Sequence, residues 1–249
     1  MVTFGIEGIA DFSNSRKNGF KRSDLGGVFA ICNEFGKVLR RARHTQEFYY
    51  DDTLCEERDL RAREFKGQDY SVADNVDLFL IVTHGGHDDD DINLAFDTKK
   101  AYWNAYSKDW ILGDKKLKWL MMYSCSTIDK KNYESCWNIF HNLHEICGAY
   151  GPMWFAPSTA ESGENVAENL IDGKTVADAW LEGVSDWAHN NRPIVVAADD
   201  GEGTLNTLDR DHLPGHGYSI PDNLMRGANT LTAKWVEATR VFTSLRELF

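Results

Sequence analysis

The chain has 249 residues, 42% of them hydrophobic, and a formal net charge of −12. That length suits one large domain with a sizeable core, and no Pro/Ser/Gly-rich linker, internal repeat or low-complexity tract beyond Asp88–Asp91 divides it. The acidic balance argues against nucleic acid or a membrane surface as partner, although solubility alone accounts for such a charge, and no apolar run reaches the ~18 residues that span a bilayer.

In chain order, Val2–Phe12 alternates loosely and reads as a first strand, followed by a loop, "SNSRKNG". Asp24–Ala42 places Val28, Ile31, Phe35, Val38 and Leu39 at helical spacing, with Asp24 as candidate N-cap. "QEFYYDD" is a second strand, and the charged, ambiguous residues 53–73 are assigned to a helix. "VDLFLIVTH" and "LKWLMMYS" are the third and fourth strands, nearly continuous in apolar residues, as expected where a parallel sheet is covered on both faces. Tyr133–Ala149 reads as a helix presenting Trp137, Phe140, Leu143 and Ile146 or Cys147; Tyr150–Thr159 reads as a fifth strand. Asn165–His189 is one helix or two, broken near Gly173, and Arg192–Asp200 is a sixth strand. Leu224–Phe249 reads as a mostly helical, amphipathic tail. Strands alternating with helices define an α/β class with a mainly parallel six-stranded sheet.

Sites in such sheets form at the carboxyl ends of strands. The third strand stops at His84, followed by Gly85 and Gly86, and the fourth stops at Ser124 and Cys125. If these strands are neighbours, both side chains face one crevice. A thiolate is a nucleophile, and an imidazole can take the thiol proton and return it to a leaving amine. Gly85 permits close backbone approach, and the amides of Gly85 and Cys125 are candidate oxyanion donors. Small Ser124 leaves room beside the thiol. Taken singly, Cys125 reads as a buried free thiol and His84 as a hydrogen-bonded loop residue; it is their equivalent placement that points to acyl chemistry. The five cysteines, Cys32, Cys55, Cys125, Cys136 and Cys147, include no CxxC pair. They read as free thiols of a reducing, cytoplasmic compartment.

An apolar strand ending in His-Gly, then one ending in a small residue and Cys, resembles the caspase-like cysteine peptidases: caspases, legumains, gingipains, clostripains and separases. "FYYDD" resembles the second strand of legumains, "NGFKRSDLGGVFA" the opening of their first helix, and "GAYGPMWFAPSTAES" with "NLIDGKTVADAWLEG" the strand and helix after the gingipain nucleophile. "CWNIFHNLHEICGAY" and "AENLIDGKTVADAW" are similar to an uncharacterised, mostly bacterial family of this fold. The resemblance covers about residues 2–200, and implies a caspase-like α/β domain over 1–200 with helices on both faces. Residues 201–249 would be a loop and helical extension packed on that domain. It implies Cys125 as nucleophile, His84 as general base and acid, Gly85 as oxyanion donor and Asn18 beside the dyad. Tyr123 stands where caspases and legumains carry Glu, Asp or Gln, so their specificities do not transfer. Tyr123, Ser124, Asn18, Ser158 and Thr159 are the candidate substrate-binding residues.

"HGGHDDDD" offers His84, His87 and four carboxylates. HxxH in a loop lacks the helical i, i+4 presentation of zinc peptidases, so a metal-dependent hydrolase ranks below the cysteine chemistry; a structural calcium near Asp88–Asp91 ranks above a catalytic metal, and a solvated acidic loop above both. If this loop borders the cleft, with Asp199 and Asp200 adding to its field, the charge favours a basic residue before the scissile bond. His141 and His144, like Cys136 and Cys147, read as packing residues. Gly201 and Gly203 lack the dinucleotide-binding pattern. The eight tryptophans read as core, with Trp154 or Trp180 candidates for a pocket wall. The expected function is a cysteine endopeptidase acting on a peptide or protein. A peptide ligase using the same thioester and a non-catalytic binding protein of the same fold are the alternatives. No cofactor is expected.

Overall fold

The computed structural model describes residues 1–14, 22–88, 91–97, 104–185 and 190–237. Among these residues ten strands form two sheets. The central one contains β1 (Thr3–Gly8), β2 (Thr45–Asp51), β3 (Leu78–Val82), β7 (Trp119–Tyr123), β8 (Glu145–Ala149), β9 (Pro193–Asp199) and β10 (Thr230–Trp235). Their spatial order is β10-β9-β8-β7-β3-β1-β2. Strands β2, β1, β3, β7 and β8 are parallel; β9 runs against β8, and β10 against β9. A small antiparallel sheet, β4 (Gly85–Asp88), β5 (Asp91–Ala95) and β6 (Asn104–Tyr106), leaves directly from the end of β3. The α/β class with a mainly parallel sheet holds, with seven central strands instead of six.

Every residue of β3, β7, β8 and β9 is buried, which explains their unbroken apolar runs. One face is covered by three helices, α1 (Val28–Arg41), α2 (Ala160–Ile171) and α3 (Val176–Val184). Helix α1 buries Val28, Ile31, Cys32, Phe35, Val38 and Leu39, a stripe at i, i+3, i+4 and i+7. Helices α1 and α2 approach closely at Gly163, where a β-carbon would lie 2.2 Å from the Ile31 carbonyl oxygen. Gly173, at φ +84°, ends α2 in the left-handed conformation. Thr175 Oγ1 then caps α3 by accepting from Asp178 N–H at 3.1 Å. The opposite face is covered by 3-10 turns, the small sheet and the one-turn helix α5 (Asp222–Met225); the other one-turn helix, α4 (Thr207–Arg210), joins the first face.

Several sequence expectations fail for stated reasons. Helix α1 begins after Gly27 with no side-chain cap; Asp24 instead accepts from Phe12 N–H at 2.9 Å. Residues 52–75 form five short 3-10 turns rather than a helix. Tyr133–Ala149 divides into a 3-10 segment, Tyr133–Ile139, and strand β8, because Glu145–Ala149 fills the slot between β7 and β9. Tyr150–Ala156 is irregular and runs into a 3-10 turn, Pro157–Thr159, and residues 230–235 form a strand where a helical tail was expected. Residues 238–249 of that tail lie outside the described residues.

Candidate active site

Chain connections after β1 and β3 run to opposite sides of the sheet, β1 toward β2 and β3 toward β7. A crevice is expected outside the carboxyl ends of strands at such a reversal. Val82 and Tyr123 are register partners at the ends of β3 and β7, and Thr83 N–H donates to the Tyr123 carbonyl at 3.3 Å. Ser124 Oγ donates back to the Thr83 carbonyl at 2.8 Å. Two positions beyond the Val82–Tyr123 pair, His84 and Cys125 follow the carboxyl ends of the two neighbouring strands.

His84 is half-buried and held on two sides. Its Nε2 lies 2.8 Å from the Ser23 carbonyl oxygen, which only accepts, so Nε2 carries the proton and Nδ1 is the basic nitrogen of the neutral ring. The Phe12 ring packs against the imidazole, centroids 4.8 Å apart. Burial lowers the His84 pKa, the Ser23 carbonyl opposes that, and Arg22 lowers it further. Both holding residues belong to the loop after β1. That loop is braced by carboxylates: Asp52 accepts from the N–H groups of Ala10 and Asp11 at 2.7 and 2.9 Å, Asp24 accepts from Phe12, and Asp97 accepts from Asn14 at 2.9 Å.

Cys125 is partly buried. Its Sγ donates to the Met153 carbonyl at 3.5 Å and accepts from Met153 N–H at 3.3 Å. Burial raises the thiol pKa, and the bond to Met153 opposes the rise. Ser126 turns the chain at φ +46°; its N–H donates to Gly151 O at 2.9 Å, and its carbonyl accepts from His87 Nδ1 at 3.0 Å. The two histidines of HGGH therefore each face a backbone carbonyl. Among the described residues no three His, Cys, Asp or Glu side chains converge as a metal site; Asp89 and Asp90 lie outside them.

The expected substrate-binding residues separate. Tyr123 is buried on the helix side of the sheet, its hydroxyl donating to Trp154 O at 3.2 Å and its ring against Phe155 and Trp180. It props the segment that holds Cys125 instead of lining a pocket. Ser124 is buried beneath the site, and Thr159 is buried with Oγ1 donating to Ala156 O at 2.7 Å. Ser158 is exposed, and Asn18 falls outside the described residues. Trp180 is core, whereas Trp154, beside Met153, is 46% exposed. Asp199 and Asp200 do not join the site's field, because β9 is antiparallel and carries them to the opposite pole. Residues that sequence reasoning missed are Ser23, Phe12 and Met153. Two of them act through backbone atoms, which no residue type announces.

The fold and this pair of strand ends define a mainly parallel α/β protein in which a histidine and a cysteine follow the carboxyl ends of adjacent strands. Residues 6–235 match the family described as Domain of unknown function (DUF6345), and the chain belongs to that family. No curated protein matches it. Among solved structures it is similar to that of the Drosophila initiator caspase Dronc, at 14% identity and a TM-score of 0.44, over 74% of this chain and 70% of that one. No helix among the described residues is long and apolar enough to cross a membrane.

Proposed function

We propose that the chain is a cysteine endopeptidase. The observation that carries this reading is the register of β3 and β7, adjacent buried strands whose last pair, Val82 and Tyr123, is followed two residues on by His84 and Cys125. In the first step the Cys125 S–H proton passes to His84 Nδ1 as sulfur attacks the peptide carbonyl carbon and forms the C–S bond. His84 returns the proton to the amide nitrogen as the C–N bond breaks, leaving a thioester. Water then attacks, gives a proton to His84, and the C–S bond breaks to release the acid and restore the thiol. Gly85 N–H is the assigned oxyanion donor. The Ser23 carbonyl has a simple part in this scheme: it stabilises the imidazolium that forms and fixes the tautomer.

Asp11, Asp24, Asp52 and Asp88 lie in segments that leave the same end of the sheet, which supports a preference for a basic residue before the scissile bond. A second reading, a binding protein without turnover, is favoured by the thiol's two bonds to Met153. The test compares wild type with Cys125→Ala on a diverse peptide mixture by mass spectrometry. Cleavage by wild type alone, enriched after Lys or Arg, is expected; joined peptides would mark a ligase. Equal products from both proteins would sink the proposal.

A further inference from the structure

At the pole opposite Cys125, about 17 Å along β7, the sheet face away from the long helices holds a cavity of about 320 Å³. Phe140, Leu143, Ala198 and Met225 line it together with the polar side chains of Asp114, His141, Asn142 and Arg226, and Trp137 forms part of its wall with 39% of its surface exposed. An exposed tryptophan on a flat surface needs no explanation, but one lining a concave space of mixed apolar and polar wall marks a place where a ring with a polar substituent can stack. A smaller hollow of about 110 Å³ adjoins it, and the two share Asp114, Asn142 and Arg226.

The charge of this second hollow runs against that of the molecule. It is lined by Lys115, Lys116, Lys118 and Arg226, against the carboxylates of Asp114 and Asp222. Asp222 is already engaged by Lys118 at 2.9 Å and faces His144 Nε2 at 3.6 Å. Lys115 Nζ donates to Tyr70 O and Asn75 Oδ1, neither of which neutralises it. Lys116 and Arg226, both exposed, have no carboxylate partner among the described residues. Four cations against two carboxylates, in a chain of net charge −12, make a local positive field beside a space walled in part by Trp137 and Phe140.

We propose that these joined hollows bind a small molecule that combines an aromatic ring with an anionic group. The ring lies against Trp137 and Phe140, and the anion faces Arg226 and Lys116. The larger volume sits at the lower end of the ~300–1,000 Å³ range typical of small-ligand pockets, which suits one or two fused rings rather than a peptide helix or strand. The site is separate from the Cys125 crevice, and its occupancy does not depend on peptidase chemistry.

The experiment titrates the full chain with 8-anilino-1-naphthalenesulfonate, followed by fluorescence, alongside the uncharged N-phenyl-1-naphthylamine. Saturable 1:1 binding of the sulfonate is expected. It should weaken at least tenfold in the Lys116→Glu/Arg226→Glu double variant and at least tenfold in Trp137→Ala. It should also weaken as salt rises, and exceed that of the neutral probe at least tenfold. The two exposed cations can be replaced without disturbing the core, so unchanged thermal unfolding of that variant verifies the comparison. Binding that ignores the double substitution, equal binding of the neutral probe, or no saturable binding overturns the proposal.

Discussion

Gly85 and Ser124 touch where the two site strands end: a β-carbon on Gly85 would lie 2.2 Å from Ser124 Oγ. Ser124 cannot swing aside without losing its bond to Thr83 O. Gly85→Ala is therefore expected to destabilise the protein by about 1–3 kcal/mol, the usual cost of overpacking, and to misplace the amide beside His84. Adding Ser124→Gly should recover part of the loss. Denaturant unfolding of the single and double variants reads a coupling of about 1 kcal/mol; strict additivity would show that the contact does not matter.

The pH dependence of the candidate dyad follows from its two shifts. His84 is pushed below the ordinary imidazole value and Cys125 above the ordinary thiol value. Across neutral pH the resting pair is thus a neutral imidazole beside a neutral thiol, the arrangement for general-base attack rather than a preformed ion pair. Turnover should rise through an acid limb below pH ~6.5 and stay level into the alkaline range. Iodoacetamide should label Cys125 slowly at pH 7 and faster only above pH ~9. A thiol that alkylates rapidly at pH 6 would show an ion pair and reverse this account.

Glu145 is fully buried at the start of β8, and neither carboxylate oxygen has a hydrogen-bond partner among the described residues. Burial, with Asp211 and Asp178 nearby, raises its pKa well above the ordinary value. A carboxyl raised in the folded state contributes stability below its unfolded pKa and loses it as pH rises. Glu145→Gln should therefore match wild type near pH 4 and exceed it by roughly 1 kcal/mol or more at pH 8. A difference independent of pH would exclude ionisation as the cause.

An acid limb of stability is expected from His44. Its Nδ1 accepts from Val2 N–H at 3.2 Å, so Nε2–H donates to His216 Nε2, also at 3.2 Å, and His216 Nδ1–H donates to Ile171 O at 2.6 Å. A proton added to either ring sets two N–H groups head to head. Burial, then His216, lowers the His44 pKa from 6.5 to about 4. The unfolded chain binds the extra proton first, so stability falls as pH drops from about 6.5 to about 4. His44→Asn, which keeps an acceptor toward Val2, should flatten that limb in unfolding titrations.

Much of this was legible because burial on both faces leaves a one-dimensional trace. Strands β3 and β7, helix α1 and the break at Gly173 all declare themselves locally, and so do the residues on which the two strands end. Strand β8 did not. Ile146 and Cys147 follow Phe140 and Leu143 at spacings that fit a helix, and only pairing with β7 and β9 decides the matter. The misassigned tail has the same origin, since Thr230–Trp235 is a strand by virtue of β9. Asp199 and Asp200 were placed at the wrong pole because an apolar run reads identically in either strand direction. At the site, the side chains that do chemistry were visible, whereas the Ser23 and Met153 backbone groups that hold them had no signature.

The position of β10 has a consequence for how the molecule is made. It is the last described strand in the sequence and, among the described residues, it pairs with β9 on the edge away from β8. During synthesis, β9 can pair with β8, already made, before the residues of β10 that cover its other edge have emerged. Until residue 235 is free, the nascent domain presents a seven-residue edge of buried-type side chains, Pro193–Asp199, with its backbone groups on one side unpaired. Such an edge invites pairing with a second chain. Translation speed between Asp199 and Trp235 and chaperone cover for that edge therefore bear on the yield of folded protein, even though neither alters the finished structure.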